Sequence, residues 1–346
     1  MKTYTPTVHG SLFALFSLSA TLLAEVPAYK MDKSFGQNEI KVPPVCVAMD
    51  AKDQLHVLLN DGTVALYDTN GKATGSFKAD MKPMPTTMAV ADGRIYLIGT
   101  VMTEKIRDIQ GKKIKMVEPG GIHCCVYSAT GTKESEIKLP EAVSATDAHF
   151  IGKELAIADF NKGQILFYQP ADNEWKVTRK IDKVFRLCCG IFDFCPGTDA
   201  NSIVVANLGA FKVQSYTEGK KGLEFGARGE KEDEFHGCCN PVNVACLADG
   251  SIVTVEKSPT RVKIYDKEGK AEKPVTGLGE LVEGCSTIPI AVDSKGALYL
   301  ASATKNCVVK CVPGVADPAA PAKAAAAKAV AAPAVEVRLP FEIKIK

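Results

Sequence analysis

Phe235-His236-Gly237-Cys238-Cys239-Asn240-Pro241 opens the stretch that decides the fold, which runs on to Lys270. After the cysteine pair comes an alternating apolar segment, Val242-Asn243-Val244-Ala245-Cys246-Leu247, and the turn Ala248-Asp249-Gly250. The β-branched segment Ile252-Val253-Thr254-Val255 follows, then Arg261-Val262-Lys263-Ile264-Tyr265-Asp266 and the closing turn Lys267-Glu268-Gly269-Lys270. Short alternating runs separated by Asp-Gly and Glu-Gly turns predict an antiparallel meander.

The same unit recurs outward in both directions. A first copy takes in Val45–Met49, Leu55–Leu59, Val64–Asp68 and Gly75–Phe77, with Asn60-Asp61-Gly62 and Thr69-Asn70-Gly71 as its turns. A second, at Met88–Val90, Ile95–Ile98, Ile122–Tyr127 and Ser135–Leu139, is interrupted by a polar insertion from Thr103 to Gly120. The third uses Ala148–Ile151, Leu155–Asp159, Ile165–Tyr168 and Trp175–Val177. The fourth opens at Arg186–Cys195 and continues with Ile203–Ala206 and Phe211–Tyr216. The fifth is the stretch quoted above, and the sixth gives Cys285–Asp293, Ala297–Ala301 and Asn306–Cys311.

Six units of about 40 to 50 residues, each of three or four strands, predict an all-β fold, a six-bladed β-propeller of four-stranded antiparallel blades. The pattern Phe235…Pro241…Val244…Asp249-Gly250…Val255…Arg261-Val262…Tyr265-Asp266…Gly269 resembles the NHL repeat. So does Leu155-Ala156-Ile157-Ala158-Asp159…Asn161…Gln164-Ile165…Phe167-Tyr168. The resemblance covers Pro43 to Pro313, sharpest in the third and fifth units and weakest in the second. It implies a fold and a binding face rather than a reaction.

Around this body the reading expects a signal peptide over 1–28, the propeller over 29–313, a linker over 314–336 and a terminal strand over 337–346. Lys2 and His9 precede an apolar core from Leu12 to Ala24, the length of an export signal and too short to span a bilayer. Cleavage would follow Ala24 or Ala28; a retained anchor is the alternative. The mature chain is then secreted or periplasmic, with no membrane span. The Ala/Pro/Lys-rich linker cannot build a core. The sixth unit lacks a fourth strand, and either Val337–Ile345 or the segment around Ser34 to Ile40 is expected to supply it; otherwise the end is a free tail for a partner.

The net charge of +2, from 42 basic and 40 acidic residues, gives no field for nucleic acid or a membrane surface. No nucleophile elbow, phosphate loop, nucleotide fingerprint or zincin helix is present. Lys112-Lys113 and Lys220-Lys221 read as solvated loops.

The cysteines carry the chemical signal. All 12 lie beyond the export segment, an even number compatible with disulfides in an oxidising compartment. In an up-and-down blade the first and third strands run the same way, so their beginnings share one face. Cys188, Cys189, Cys238, Cys239 and Cys285 precede first strands; Cys124, Cys125 and Cys307 sit near the beginning of third strands. Cys46, Cys195, Cys246 and Cys311 come later and are expected to lie deeper. Thiolates converging from neighbouring blades would hold a soft ion such as copper or zinc, with His236 or His123 as a further ligand. Disulfides, between blades or within a pair, and free buried thiols are the competing readings.

Three functions remain open at this stage. The first is a scaffold binding a protein or small-molecule ligand through the cysteine-rich upper face. The second is a thiolate metal-binding or redox protein. The third is a metal-dependent lyase or hydrolase of the propeller type drawing on His123, His149 and His236, although these do not form a matched set. Asp159 is expected to serve a turn rather than catalysis.

Overall fold

The computed structural model describes residues 28–35, 40–171, 174–270 and 272–314. One 3-10 turn, Leu208–Ala210, is the only helical element among them; the rest of the regular structure is strand. A three-residue strand, β1 (Tyr29–Met31), comes first. Four sheets then follow, each made of four consecutive strands paired antiparallel in chain order. They are β2–β5 (Pro44–Met49, Leu55–Leu59, Thr63–Tyr67, Ala73–Lys78) and β6–β9 (Thr87–Ala91, Arg94–Ile109, Lys112–Ser128, Lys133–Ile137). Next come β10–β13 (Asp147–Ile151, Glu154–Asp159, Gln164–Ala171, Glu174–Asp182) and β14–β17 (Asp193–Pro196, Ser202–Asn207, Lys212–Thr217, Lys220–Phe225).

The last seven strands share one sheet with β1. These are β18–β21 (Asn243–Cys246, Ile252–Glu256, Arg261–Tyr265, Glu272–Thr276) and β22–β24 (Ile290–Val292, Leu298–Ser302, Cys307–Pro313). The order is β18-β19-β20-β21-β1-β24-β23-β22, an eight-stranded sheet whose two ends also touch. β1 is the joint, since Tyr29 pairs antiparallel with Pro313 and parallel with Val275. The expected separation of the last two units is thus corrected: one short strand satisfies the open edges of both.

The hairpins follow from the turn residues. Gly62 and Gly250 hold φ of 82° and 90°, a region that side-chain-bearing residues avoid. The preceding aspartates close the same turns, Asp61 accepting from the Thr63 amide at 3.0 Å and Asp249 from the Ser251 amide at 2.8 Å.

Alternation along each strand feeds two cores at once. Leu55 and Val57 pack with Tyr299 and Ala301 on one side of their sheet. Leu58, on the opposite face, packs with Ile95 and Leu97 of the next sheet. Similar clusters lie between each following pair of neighbours, and each fully buried Leu, Ile or Val contributes about 1.5–3 kcal/mol. The first strands of successive units are in contact, β2 with β6, β6 with β10, β10 with β14, β14 with β18, β18 with β22, and β22 with β2.

Polar side chains tie these first strands together. Asp147 accepts the Phe194 amide at 3.1 Å and Asp193 the Val244 amide at 2.8 Å, while Asn243 accepts the Ile288 amide at 2.9 Å. Each tether reaches from one unit to the next. Thr146 adds a bond to the Phe192 carbonyl at 2.9 Å. Thr146, Asp147, Phe192, Asp193 and Asn243 line a cavity of about 490 Å³.

Three local expectations change. The polar insertion from Thr103 to Gly120 extends the β7–β8 hairpin beyond a one-residue register shift between Val101 and Met102, with Ile109 opposite Lys112. In the opening run of the fourth unit strand begins only at Asp193, in β14 (Asp193–Pro196); the part before it is a loop, with Cys189 and Gly190 at φ of 60° and 74°. The outer strand beside β24 is Tyr29–Met31. Ser34 instead closes a turn on Asp32, donating from its amide at 2.9 Å and its hydroxyl at 2.6 Å. The signal peptide expected over 1–28, apart from Ala28, the linker beyond Gly314 and the terminal strand expected over Val337–Lys346 lie outside the described residues.

Candidate functional site

Three loops that enter the first strands β14, β18 and β22 deliver five cysteines to one place. The Cys188–Cys189 loop is turned by the positive φ at Cys189 and Gly190, with the Ile191 amide donating to the Cys188 carbonyl at 3.1 Å. It is anchored by Asn207, whose side-chain oxygen accepts the Arg186 amide at 2.7 Å. The Cys238–Cys239 loop is pinned by buried Asn240, whose amide group donates to the carbonyls of His236 at 2.7 Å and Lys257 at 3.1 Å. Its oxygen accepts the Lys257 amide at 3.0 Å, so Lys257 and the cysteine pair are held as one unit. The third loop brings Cys285, next to the Gly284 carbonyl that accepts the Ser258 hydroxyl at 3.3 Å.

Cys188 and Cys239 form a disulfide across 51 residues. The Cys189 sulfur lies beside this bond, 3.1 Å from Cys188 and 3.6 Å from Cys239. The Cys189 sulfur is also 3.6 Å from Cys285, which is in turn 3.9 Å from Cys238. Cys189, Cys238 and Cys285 are exposed thiols, whereas Cys239 is buried.

Lys257 supplies the charge. Its ammonium is 3.1 Å from the Cys285 sulfur and 3.6 Å from Cys238. The hydrogen bond from Lys257 holds the Cys285 thiol below its ordinary pKa, against a smaller opposing effect of burial. Burial opposes the charge on Lys257 itself, yet the Cys285 sulfur keeps its pKa raised. At Cys189 burial, reinforced by the neighbouring Cys285, pushes the thiol up. The cluster therefore contains one thiolate-prone sulfur at the exposed end and a disulfide at the buried end.

Cys188, Cys189, Cys238, Cys239 and Cys285 are thus brought together, and three other candidates are not. Cys124 and Cys125 are consecutive in β8, so their side chains enter two different cores, Cys124 with Leu155 and Cys125 with Leu58. Burial pushes both thiols up. Cys125 is 3.6 Å from the His123 ring, and His123 faces Glu136 at 3.3 Å, so these three are a second group of metal-ligand type. The His236 ring is turned to the Arg261 guanidinium at 2.8 Å. His149 faces Asp147 at 3.3 Å and packs edge-on against Phe194, so the three histidines have separate surroundings.

The deeper cysteines behave as expected of late strand positions. Cys46, Cys195 and Cys311 are buried and Cys246 is half-buried. Cys195 and Cys246 approach to 3.3 Å. Asp159 is fully buried and closes its own turn by accepting the Lys162 amide at 3.3 Å, while also accepting from the Ser144 hydroxyl at 2.7 Å and the Val143 amide at 3.0 Å in the loop before β10. The functional residue missing from the sequence reading is Lys257. Its signal is positional: the end of a second strand lies beside the beginning of the first, here Val255 opposite Asn243.

Compared with known proteins, the chain matches no protein-family model and no curated protein. Among the described residues no helix is long and apolar enough to cross a membrane.

Proposed function

We propose that this chain is an exported, NHL-like six-bladed β-propeller whose cysteine-bearing face binds a partner by thiol–disulfide exchange. The closed series of contacts from β2 through β22 and back to β2, with a shared core between each pair of neighbours, supports the propeller reading. The disulfide supports an oxidising location, secreted or periplasmic.

One observation carries the function: an exposed Cys285 thiol 3.1 Å from an ammonium and 3.6 Å from a second thiol, Cys189. The Cys285 thiolate attacks a sulfur of the partner's disulfide; that S–S bond breaks and one partner thiolate leaves, taking up a proton. Cys189, once deprotonated, attacks the Cys285 sulfur of the mixed disulfide. A Cys189–Cys285 bond forms and the partner's second thiolate departs. The partner gains two electrons and the cysteine pair loses them; run backwards, the same steps oxidise a partner dithiol.

The test uses glutathione disulfide as the probe, with peptide mapping of the unreduced protein. The wild type should yield a Cys189–Cys285 cross-link, and Cys189→Ser should stop at a glutathione adduct on Cys285. A wild type that acquires neither species rejects the function.

A further inference from the structure

We infer that reductive opening of the Cys188–Cys239 disulfide creates a three-thiolate site for a soft monovalent ion of the Cu(I) type, built from Cys188, Cys189 and Cys239. This deepens the exchange function and rests on that reading, because the disulfide must be reachable by a thiol reductant.

The three sulfurs lie within 4.8 Å of one another. A planar three-coordinate centre with metal–sulfur bonds of about 2.3 Å needs sulfur–sulfur edges of about 4 Å. Cys189 already stands 3.1 Å from Cys188 and 3.6 Å from Cys239, so opening the bond and relaxing Cys188 away from Cys239 approaches that triangle. The backbone arrives prepared, since the turn at Cys189–Gly190 and the clamp from Asn240 fix both loops independently of the disulfide. Thiolates select soft d10 ions over hard ones. Three sulfurs without a fourth at equal distance favour Cu(I) over tetrahedral zinc, because Cys285 approaches Cys189 at 3.6 Å but does not join the mutually close trio.

The chemistry balances through a dithiol. Its first thiolate attacks Cys239 or Cys188 and displaces the other as a thiolate. Its second thiol closes on the mixed disulfide, leaving two protein thiols and a cyclic disulfide of the reductant. Cu(I) then displaces one proton from each of the three thiols. In the oxidised protein two of the three sulfurs are bonded to each other and unavailable as thiolates, so the same residues are alternately a disulfide and a metal site.

The mature chain, reduced with dithiothreitol and desalted under nitrogen, is first assayed for thiols in denaturant. The count should rise from ten to twelve, the ten free cysteines plus the two of the disulfide. A count fixed at ten overturns this site, whereas the exchange function falls only if glutathione disulfide yields neither the Cys189–Cys285 cross-link nor an adduct on Cys285. Cu(I) is then titrated against bicinchoninate. The reduced chain should hold about one ion and the oxidised chain none. Cys189→Ser should weaken binding roughly a hundredfold, while Cys238→Ser leaves it unchanged. Twelve thiols without copper binding overturn this site and leave the exchange function standing. Equal binding by the oxidised chain, full binding by a Cys189→Ser variant with an unaltered circular dichroism spectrum, or tighter zinc binding that requires Cys285 also overturns it.

Discussion

Removing Cys188 alone should cost almost no stability, although it destroys the disulfide seen in the structure. In the chain-entropy treatment, closing a loop across the 51 residues between Cys188 and Cys239 stabilises the fold by about 4 kcal/mol at 25 °C. In Cys188→Ser the adjacent Cys189 thiol remains 3.6 Å from Cys239 across 50 residues. The entropy of the replacement loop differs by less than about 0.1 kcal/mol, because the dependence is logarithmic. The triple variant Cys188→Ser/Cys189→Ser/Cys285→Ser leaves Cys239 without a partner from another loop and should lose the full amount, about 4 kcal/mol. Urea unfolding without reductant gives the stabilities, and mapping of unreduced peptides should find Cys189–Cys239 in the single variant. A single variant as unstable as the triple would refute the idea that sulfurs in this cluster exchange partners.

Other perturbations read different parts of the molecule. Tyr29→Ala empties a buried aromatic site and should destabilise by about 3–5 kcal/mol in urea, whereas Tyr29→Phe, losing the 2.8 Å bond to the Gly296 carbonyl, should cost about 1 kcal/mol. A loss below about 1 kcal/mol for the alanine variant would deny β1 its closing role. Lys257→Met removes the ammonium that holds the Cys285 thiol below its ordinary pKa; alkylation by iodoacetamide should need higher pH, and an unmoved pH profile rejects the electrostatic account. Burial holds His56 below its ordinary value of 6.5, so on acidification the unfolded chain takes the proton first. Stability should therefore fall as the pH drops below about 6.5, and His56→Gln should flatten that limb in urea titrations.

The fold was legible wherever alternation met a turn residue. Leu55–Leu59 followed by Asn60-Asp61-Gly62, and Ile252–Val255 preceded by Asp249-Gly250, form the predicted hairpins because those turns admit few other conformations. The β7–β8 extension escaped because its apolar residues, Ile106, Ile109, Ile114, Met116 and Val117, are scattered among charged ones without a sustained alternation. It is held by cross-strand pairs such as Lys115 with Glu104 and Lys105 with Glu118, both at 2.6 Å. Tyr29–Met31 escaped because three residues are too few to show a period.

The sulfur cluster was readable from strand polarity alone for the five cysteines in entering loops. The same argument failed for Cys124 and Cys125, which are embedded within a strand, where neighbouring side chains must diverge to opposite faces. His236, expected as a further ligand of the cluster, stays out of it for a different reason, since Arg261 claims its ring.

β1 makes the order of synthesis matter. Tyr29 leaves the ribosome long before Gly296, 267 residues later, and before β24, its antiparallel partner. Until then β1 has only its parallel partner around Val275 and no antiparallel one, and the halves of the eight-stranded sheet stay unjoined. Completion of this sheet is consequently a late event, and a fragment ending before Cys307 should remain open, prone to capture by chaperones and sensitive to proteases.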